Sequence, residues 1–126
     1  MMTAEFQPTL YFKKNCPYCF KVRLFLLEAG ILDKVSIVEF EPGTEQEQAI
    51  RATLATAFDK VTFPAAETAL GVFQKDSDGL IDHFAQLHGV ALENFSVLKA
   101  YVEGPLTSLG NLFRENRDLK AAAAQS

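Results

Sequence analysis

The chain has 126 residues, of which 48% are hydrophobic and 22% charged, and a net charge of -4. That length suits a single hydrophobic core, and a sequence pI near 5.1 argues against general nucleic-acid binding, which calls for a basic face. No apolar run reaches the roughly 18 residues needed to cross a bilayer, and the opening MMTAEFQPTLYF lacks the charged and apolar regions of a secretory signal.

Met1 to Pro8 reads as a loose lead-in. Thr9 to Lys13 (TLYFK) is rich in aromatic and β-branched residues and predicts a short strand. Pro17 to Ala29 predicts a helix. Proline suits its first position, where an N–H would be unpaired anyway, and Gly30 is a natural stop. Val22, Phe25, Leu26 and Ala29 form one apolar stripe, and Phe20, Leu24 and Leu27 form another, so burial on two faces is expected.

Val35 to Phe40 (VSIVEF) predicts a second strand. Thr44 to Glu47 (TEQE) spells a capping box, and Ile50, Leu54, Ala57 and Phe58 follow at helical spacing. Val61 to Thr68 (VTFPAAET) and Leu70 to Gln74 (LGVFQ) predict a strand hairpin, with a proline where the first strand begins. Asp76-Ser77 signals another helix start, with Leu80, Ile81, Phe84 and Leu87 as its buried stripe and Gly89 as its end. Two further helices are expected over 93–103 and 106–119, broken at Gly104-Pro105, with AAAAQS frayed behind them. A strand, helix and strand in sequence implies a parallel pair with a right-handed crossover. The later hairpin adds antiparallel pairing, so the class is α/β with a mixed sheet.

The only two cysteines, Cys16 and Cys19, stand three apart in KKNCPYC. A reducing, cytoplasmic setting is the default here, and there such a pair is redox-active or metal-binding rather than a staple. Cys16 falls where a strand ends and a helix begins. Free N–H groups of the first turn favour a thiolate, and Lys13 and Lys14 precede it. Such settings lower a cysteine pKa from about 8.5 to roughly 3.5–7.5, making Cys16 the nucleophile and Cys19 the more buried resolving thiol. The four cations from Lys13 to Arg23, with no acid among them, also suit an anionic substrate. Zinc wants four ligands. The only other candidates, His83 and His88, are five apart on a predicted helix and face different ways, so no metal is expected.

These residues resemble a glutaredoxin. The match rests on K-x-x-C-P-Y-C (Lys13 to Cys19) after a strand, T-x-P (Thr62-Phe63-Pro64) before a strand, the Asp76-Ser77-Asp78 cluster opening a helix, and the order of elements. It covers about Thr9 to Gly89. The resemblance implies a thioredoxin-like fold: a glutaredoxin-type four-stranded mixed sheet over 1–89, with a helical extension over 90–126 packed on the same domain. It further implies a glutathione-disulfide oxidoreductase, with Cys16 and Cys19 catalytic and glutathione as co-substrate. Pro64 would be cis, freeing the Phe63 backbone beside Thr62 to pair with the tripeptide. Lys13 would face the glycine carboxylate, and Tyr18 would shape the floor of the site. Asp76 and Ser77, or Ser77 and Asp78, would hold the γ-glutamyl end.

Two features depart from that pattern. A Gly-Gly pair usual in glutaredoxins is replaced by Gln74-Lys75, and the tail is long. Both lean toward the N-terminal domain of glutathione transferases, whose D/E-S pair binds the γ-glutamyl group. The alternative function is therefore a non-catalytic glutathione-binding module acting through a partner. Expected partners are glutathione and protein disulfides, with neither nucleic acid nor membrane. The chain is read as a monomer or a weak homodimer through the C-terminal helices, whose face is Leu106, Leu109, Leu112 and Phe113.

Overall fold

A computed structural model describes residues 6–125; the first five residues of the expected lead-in lie outside them. Strand β1 (Thr9–Lys13) leads into helix α1 (Pro17–Glu28), strand β2 (Ser36–Phe40) and helix α2 (Glu45–Leu54). Strands β3 (Ala65–Ala69) and β4 (Val72–Lys75) form the hairpin, followed by helix α3 (Ser77–His88). Helices α4 (Ser96–Tyr101) and α5 (Thr107–Gln125) close the described chain. The sheet order is β2-β1-β3-β4, with β1 parallel to β2 and antiparallel to β3, and β3 antiparallel to β4. This mixed four-stranded sheet flanked by helices is the thioredoxin-like arrangement.

Alternation along β1 builds both faces of the sheet. Leu10 and Phe12 point to one side and are fully buried among Val22, Phe25, Leu26, Leu80 and Phe84 of α1 and α3. Tyr11 points to the other side, toward Phe40, Ile50, Leu54 and Ala65, which α2 covers. Helix α2 starts as expected, with Thr44 Oγ1 accepting from the Glu47 N–H at 3.3 Å. Glu47, however, reaches back to the Gly43 N–H at 2.8 Å rather than to that of Thr44.

Several expectations need correction. The second stripe of α1 is buried only in part: Leu24 packs against the core, but Leu27 is 62% exposed, and Phe20 is half-exposed with its ring against Tyr101. The position between those stripes, Lys21, is the buried one instead. Leu87 of α3 is exposed, and Ala85 takes its place in the core. Strand β3 starts at Ala65, because residues 61–64 are spent on a loop.

Gly104-Pro105 does not break the tail. A π-helical turn over Val102–Leu106 widens the helix around Pro105, which has no N–H to donate, and α5 continues to Gln125 through the alanines read as frayed. The tail docks through α4. The Glu28 carboxylate accepts from the Val97 and Leu98 N–H groups at 3.0 and 2.8 Å, capping α4, and Leu98 is buried in the core.

Candidate active site around Cys16

Asn15 adopts φ +62, a left-handed conformation that asparagine tolerates, and this turns the chain from β1 into α1. Cys16 then becomes the N-cap of α1, and its sulfur accepts from the Cys19 N–H at 3.3 Å. Loop 61–64 approaches from the far side. The Phe63–Pro64 peptide is cis, and the Phe63 carbonyl oxygen lies 4.0 Å from Cys16 Sγ. Both cysteines are free, Cys16 partly exposed and Cys19 buried.

The two thiols are driven apart. The Cys16 pKa falls from 9.0 to about 6. Its largest cause is the hydrogen bond from the Cys19 thiol, opposed by partial burial and aided by the Cys19 and Tyr18 backbone N–H groups and the charge of Lys13. Cys19 is pushed up by that same hydrogen bond, in which it keeps the proton, and by its burial. At neutral pH the pair is a thiolate beside a thiol.

The cationic cluster disperses. Lys14 pairs with Glu41 at 3.0 Å and Arg23 with Glu39 at 2.8 Å. Lys21 runs beneath α3, its Nζ 3.3 Å from Ser77 Oγ and in a short contact with the Asp78 carboxylate. Of the four, Lys13 is the one whose charge bears on Cys16.

Lys13 also lines, with Asn15, Phe20, Arg23, Glu39 and Tyr101, a cavity of about 310 Å³ onto which Cys16 opens. Tyr101 donates its hydroxyl to the Pro17 carbonyl at 2.8 Å, joining the tail to the first turn of α1. A larger apolar cavity of about 690 Å³ adjoins this one, sharing Pro17 and Leu109 and adding Leu106, Leu112 and Phe113. Tyr18 lines that second cavity and is half-exposed, so it sits at a rim and not at the floor of the thiol pocket.

Thr62 is partly buried in the loop that presents Phe63, and Pro64 is buried. Across the site, Asp76 precedes α3 at φ +76, a strained conformation for a residue with a side chain. Its carboxylate is exposed, while Ser77 is buried at the helix start and Asp78 is committed to Lys21. Lys21 thus engages both Ser77 and Asp78, while Asp76 stands exposed beside them. Lys21 is a buried partner of Ser77 and Asp78 that the expected site left out. The available signal was a lysine flanked by Phe20 and Val22 in an apolar helix, since a buried ammonium needs a partner.

Among the described residues no group of three or more His, Cys, Asp and Glu side chains could hold a metal.

The family model for the glutathione S-transferase N-terminal domain matches residues 10–94, from the second residue of β1 past the end of α3. The chain belongs to this family. Of the two families its motifs resemble, the transferase domain is therefore the one matched, in keeping with the absent Gly-Gly pair and the Asp76-Ser77 corner.

Among solved structures, glutathione transferase Omega 3C from Trametes versicolor matches with 25% identity and a TM-score of 0.50, over 67% of this chain and 34% of that one. Glutathione transferase Omega 2C from the same organism matches with 22% identity and a TM-score of 0.48, over 66% of this chain and 38% of that one. The matched region spans about a third of each transferase. No curated protein matches.

Proposed function

We propose that this transferase-family domain is a glutathione-dependent thiol-disulfide oxidoreductase with Cys16 as its nucleophile. One observation carries the reading: the Cys16 sulfur caps α1, accepts from the Cys19 N–H at 3.3 Å and has its pKa lowered to about 6. A nucleophilic thiolate at neutral pH is what disulfide exchange requires.

In the proposed cycle the Cys16 thiolate attacks the glutathione sulfur of a mixed disulfide. A Cys16–glutathione disulfide forms, and the substrate leaves as a thiolate that takes a proton from water. A second glutathione thiolate then attacks the glutathione sulfur, releasing oxidised glutathione and restoring the Cys16 thiolate. Cys19 offers a side route by attacking Cys16 Sγ, which expels glutathione and closes a Cys16–Cys19 disulfide. Its burial, which also disfavours the Cys19 thiolate, makes that route the slower one at neutral pH. The cycle belongs to a reducing compartment, the cytoplasm, where two glutathione thiols reduce the Cys16–Cys19 disulfide back to free thiols and leave as oxidised glutathione.

Glutathione itself would lie along loop 61–64, its backbone pairing with Phe63 as an added strand. Its γ-glutamyl carboxylate would meet Ser77 and the free N–H groups of α3, its ammonium Asp76, and its glycine carboxylate Lys13. The half of the mixed disulfide that is not glutathione would take the apolar cavity over Pro17 and Leu109.

A second reading has the domain move glutathione onto an apolar electrophile, or hold it for a partner, without Cys16 chemistry. The family match and the 690 Å³ apolar cavity favour it. A coupled assay with glutathione, glutathione reductase, NADPH and a small mixed disulfide separates the two. Turnover abolished by Cys16→Ser and largely kept by Cys19→Ser supports the oxidoreductase. Glutathione binding without such turnover supports the second reading.

A further inference from the structure

Residues 55–64 join α2 to β3 outside helix and strand, and they carry the Phe63 carbonyl that faces Cys16. Such a loop keeps its place only if something grips it. Two cations do. Lys75 of β4 donates to the Lys60 carbonyl at 2.7 Å, its Nζ 5.2 Å from the centre of the Phe58 ring. Arg51 of α2 donates from Nη1 to the Val61 carbonyl at 3.3 Å, and its guanidinium carbon lies 5.1 Å from the centre of the Phe63 ring.

Arg51 is itself anchored. Its Nε donates to one Glu47 oxygen at 2.7 Å, and the other oxygen of that carboxylate accepts from the Gly43 N–H at 2.8 Å. Behind the Phe63 ring stands Phe40, edge-on at 4.7 Å between centres. Arg51 therefore grips the loop on both sides of Thr62, by the Val61 carbonyl and by the face of Phe63. A planar fork can bond two acceptors and stack at once, whereas a lysine is a point charge.

We propose that Arg51, anchored by Glu47, is a positioning residue for glutathione: it fixes where Phe63 presents its backbone beside Cys16. The role rests on the glutathione reading above. Arg51 has no described contact with either cysteine, so its effect falls on binding and not on the thiolate.

The test is Arg51→Lys in the full chain, with Glu47→Gln as a second, milder variant. Each is assayed for glutathione affinity by calorimetry, for KM and kcat in the coupled assay, and for Cys16 alkylation against pH. Arg51→Lys is expected to raise the glutathione KM and Kd on the order of tenfold, the size of one charge-assisted hydrogen bond. The kcat stays within about twofold and the alkylation midpoint stays near its wild-type value, as only the binding edge has moved. Glu47→Gln shifts KM in the same direction by less, because glutamine can still accept from Arg51.

Unchanged affinity in Arg51→Lys, with wild type binding normally, overturns the positioning role and leaves the glutathione reading intact. A KM change accompanied by an equal shift of the alkylation midpoint also overturns it, since that marks general damage to the site. Should wild type itself bind no glutathione, the functional reading falls, and this role falls with it.

Discussion

Cys16 and Cys19 carry the same group three residues apart, yet one hydrogen bond splits their acidities. The Cys19 thiol is the largest cause of the lowered Cys16 pKa, ahead of the Cys19 and Tyr18 N–H groups, and Lys13 contributes least. Cys19→Ala is therefore expected to raise the alkylation midpoint of Cys16 from about 6 toward 9.0, while Lys13→Gln raises it less. Alkylation rates measured against pH for the two variants check the ranking; a larger effect from Lys13 would reverse it.

Stability follows the same logic. Cys16 has a depressed folded pKa, so its contribution is present above the unfolded value and is lost as pH falls through about 6. Cys19 has a raised one, so its contribution is present below 9.0 and is lost above it. Between those limits the Tm of the wild type is expected to rise with pH relative to Cys16→Ser. Parallel Tm curves for the two would contradict the linkage.

Helices α1 and α3 meet at an ion pair whose ends differ. The Lys21 side chain is 10% exposed and that of Asp78 is 90% exposed. Removing Asp78 strands a buried ammonium beside Ser77, while removing Lys21 returns Asp78 to water. Asp78→Ala is expected to cost about 1–3 kcal/mol and Lys21→Met about 1 kcal/mol or less, read by urea denaturation. Equal costs would show that Asp78 is not what balances the lysine. At the other end of α3, Gly89 caps the helix at φ +65, and Gly89→Ala is expected to cost about 1 kcal/mol.

The element order was legible because its signals are local: period-two strands, the TEQE box, Pro17 and Gly89. The thiol pair was legible for the same reason. Lys21 and Arg51 were not, since each takes its meaning from a partner outside its own helix. Phe20, Leu27 and Leu87 misled because an apolar residue on a short helix does not say whether a neighbour covers it. Gly104-Pro105 misled in another way: a strong local stop signal yielded to a widened turn that keeps Leu106 buried.

The whole molecule combines a two-sided core with a tail unevenly attached to it. Its near part is held firmly by Glu28 on α4, Leu98 in the core and Tyr101 on Pro17. Beyond Leu106 the residues whose burial is described on α5 are exposed except for a half-buried Gly110, with Leu112, Phe113 and Leu119 each 60% exposed or more. Amide exchange is expected to be slowest in β1 and in α1 beyond its first turn, intermediate in α4, and fastest among the helices in α5. Slow exchange throughout α5 would mean that its apolar face is covered in solution.

Fold, capping and charge converge on one atom, the Cys16 sulfur, and its titration is the most direct test of the mechanism. The rate of alkylation of Cys16 by iodoacetamide against pH, read by intact mass with Cys19 still reduced, is expected to show a midpoint at about 6. A midpoint near the ordinary thiol value of 9.0 would contradict the thiolate mechanism.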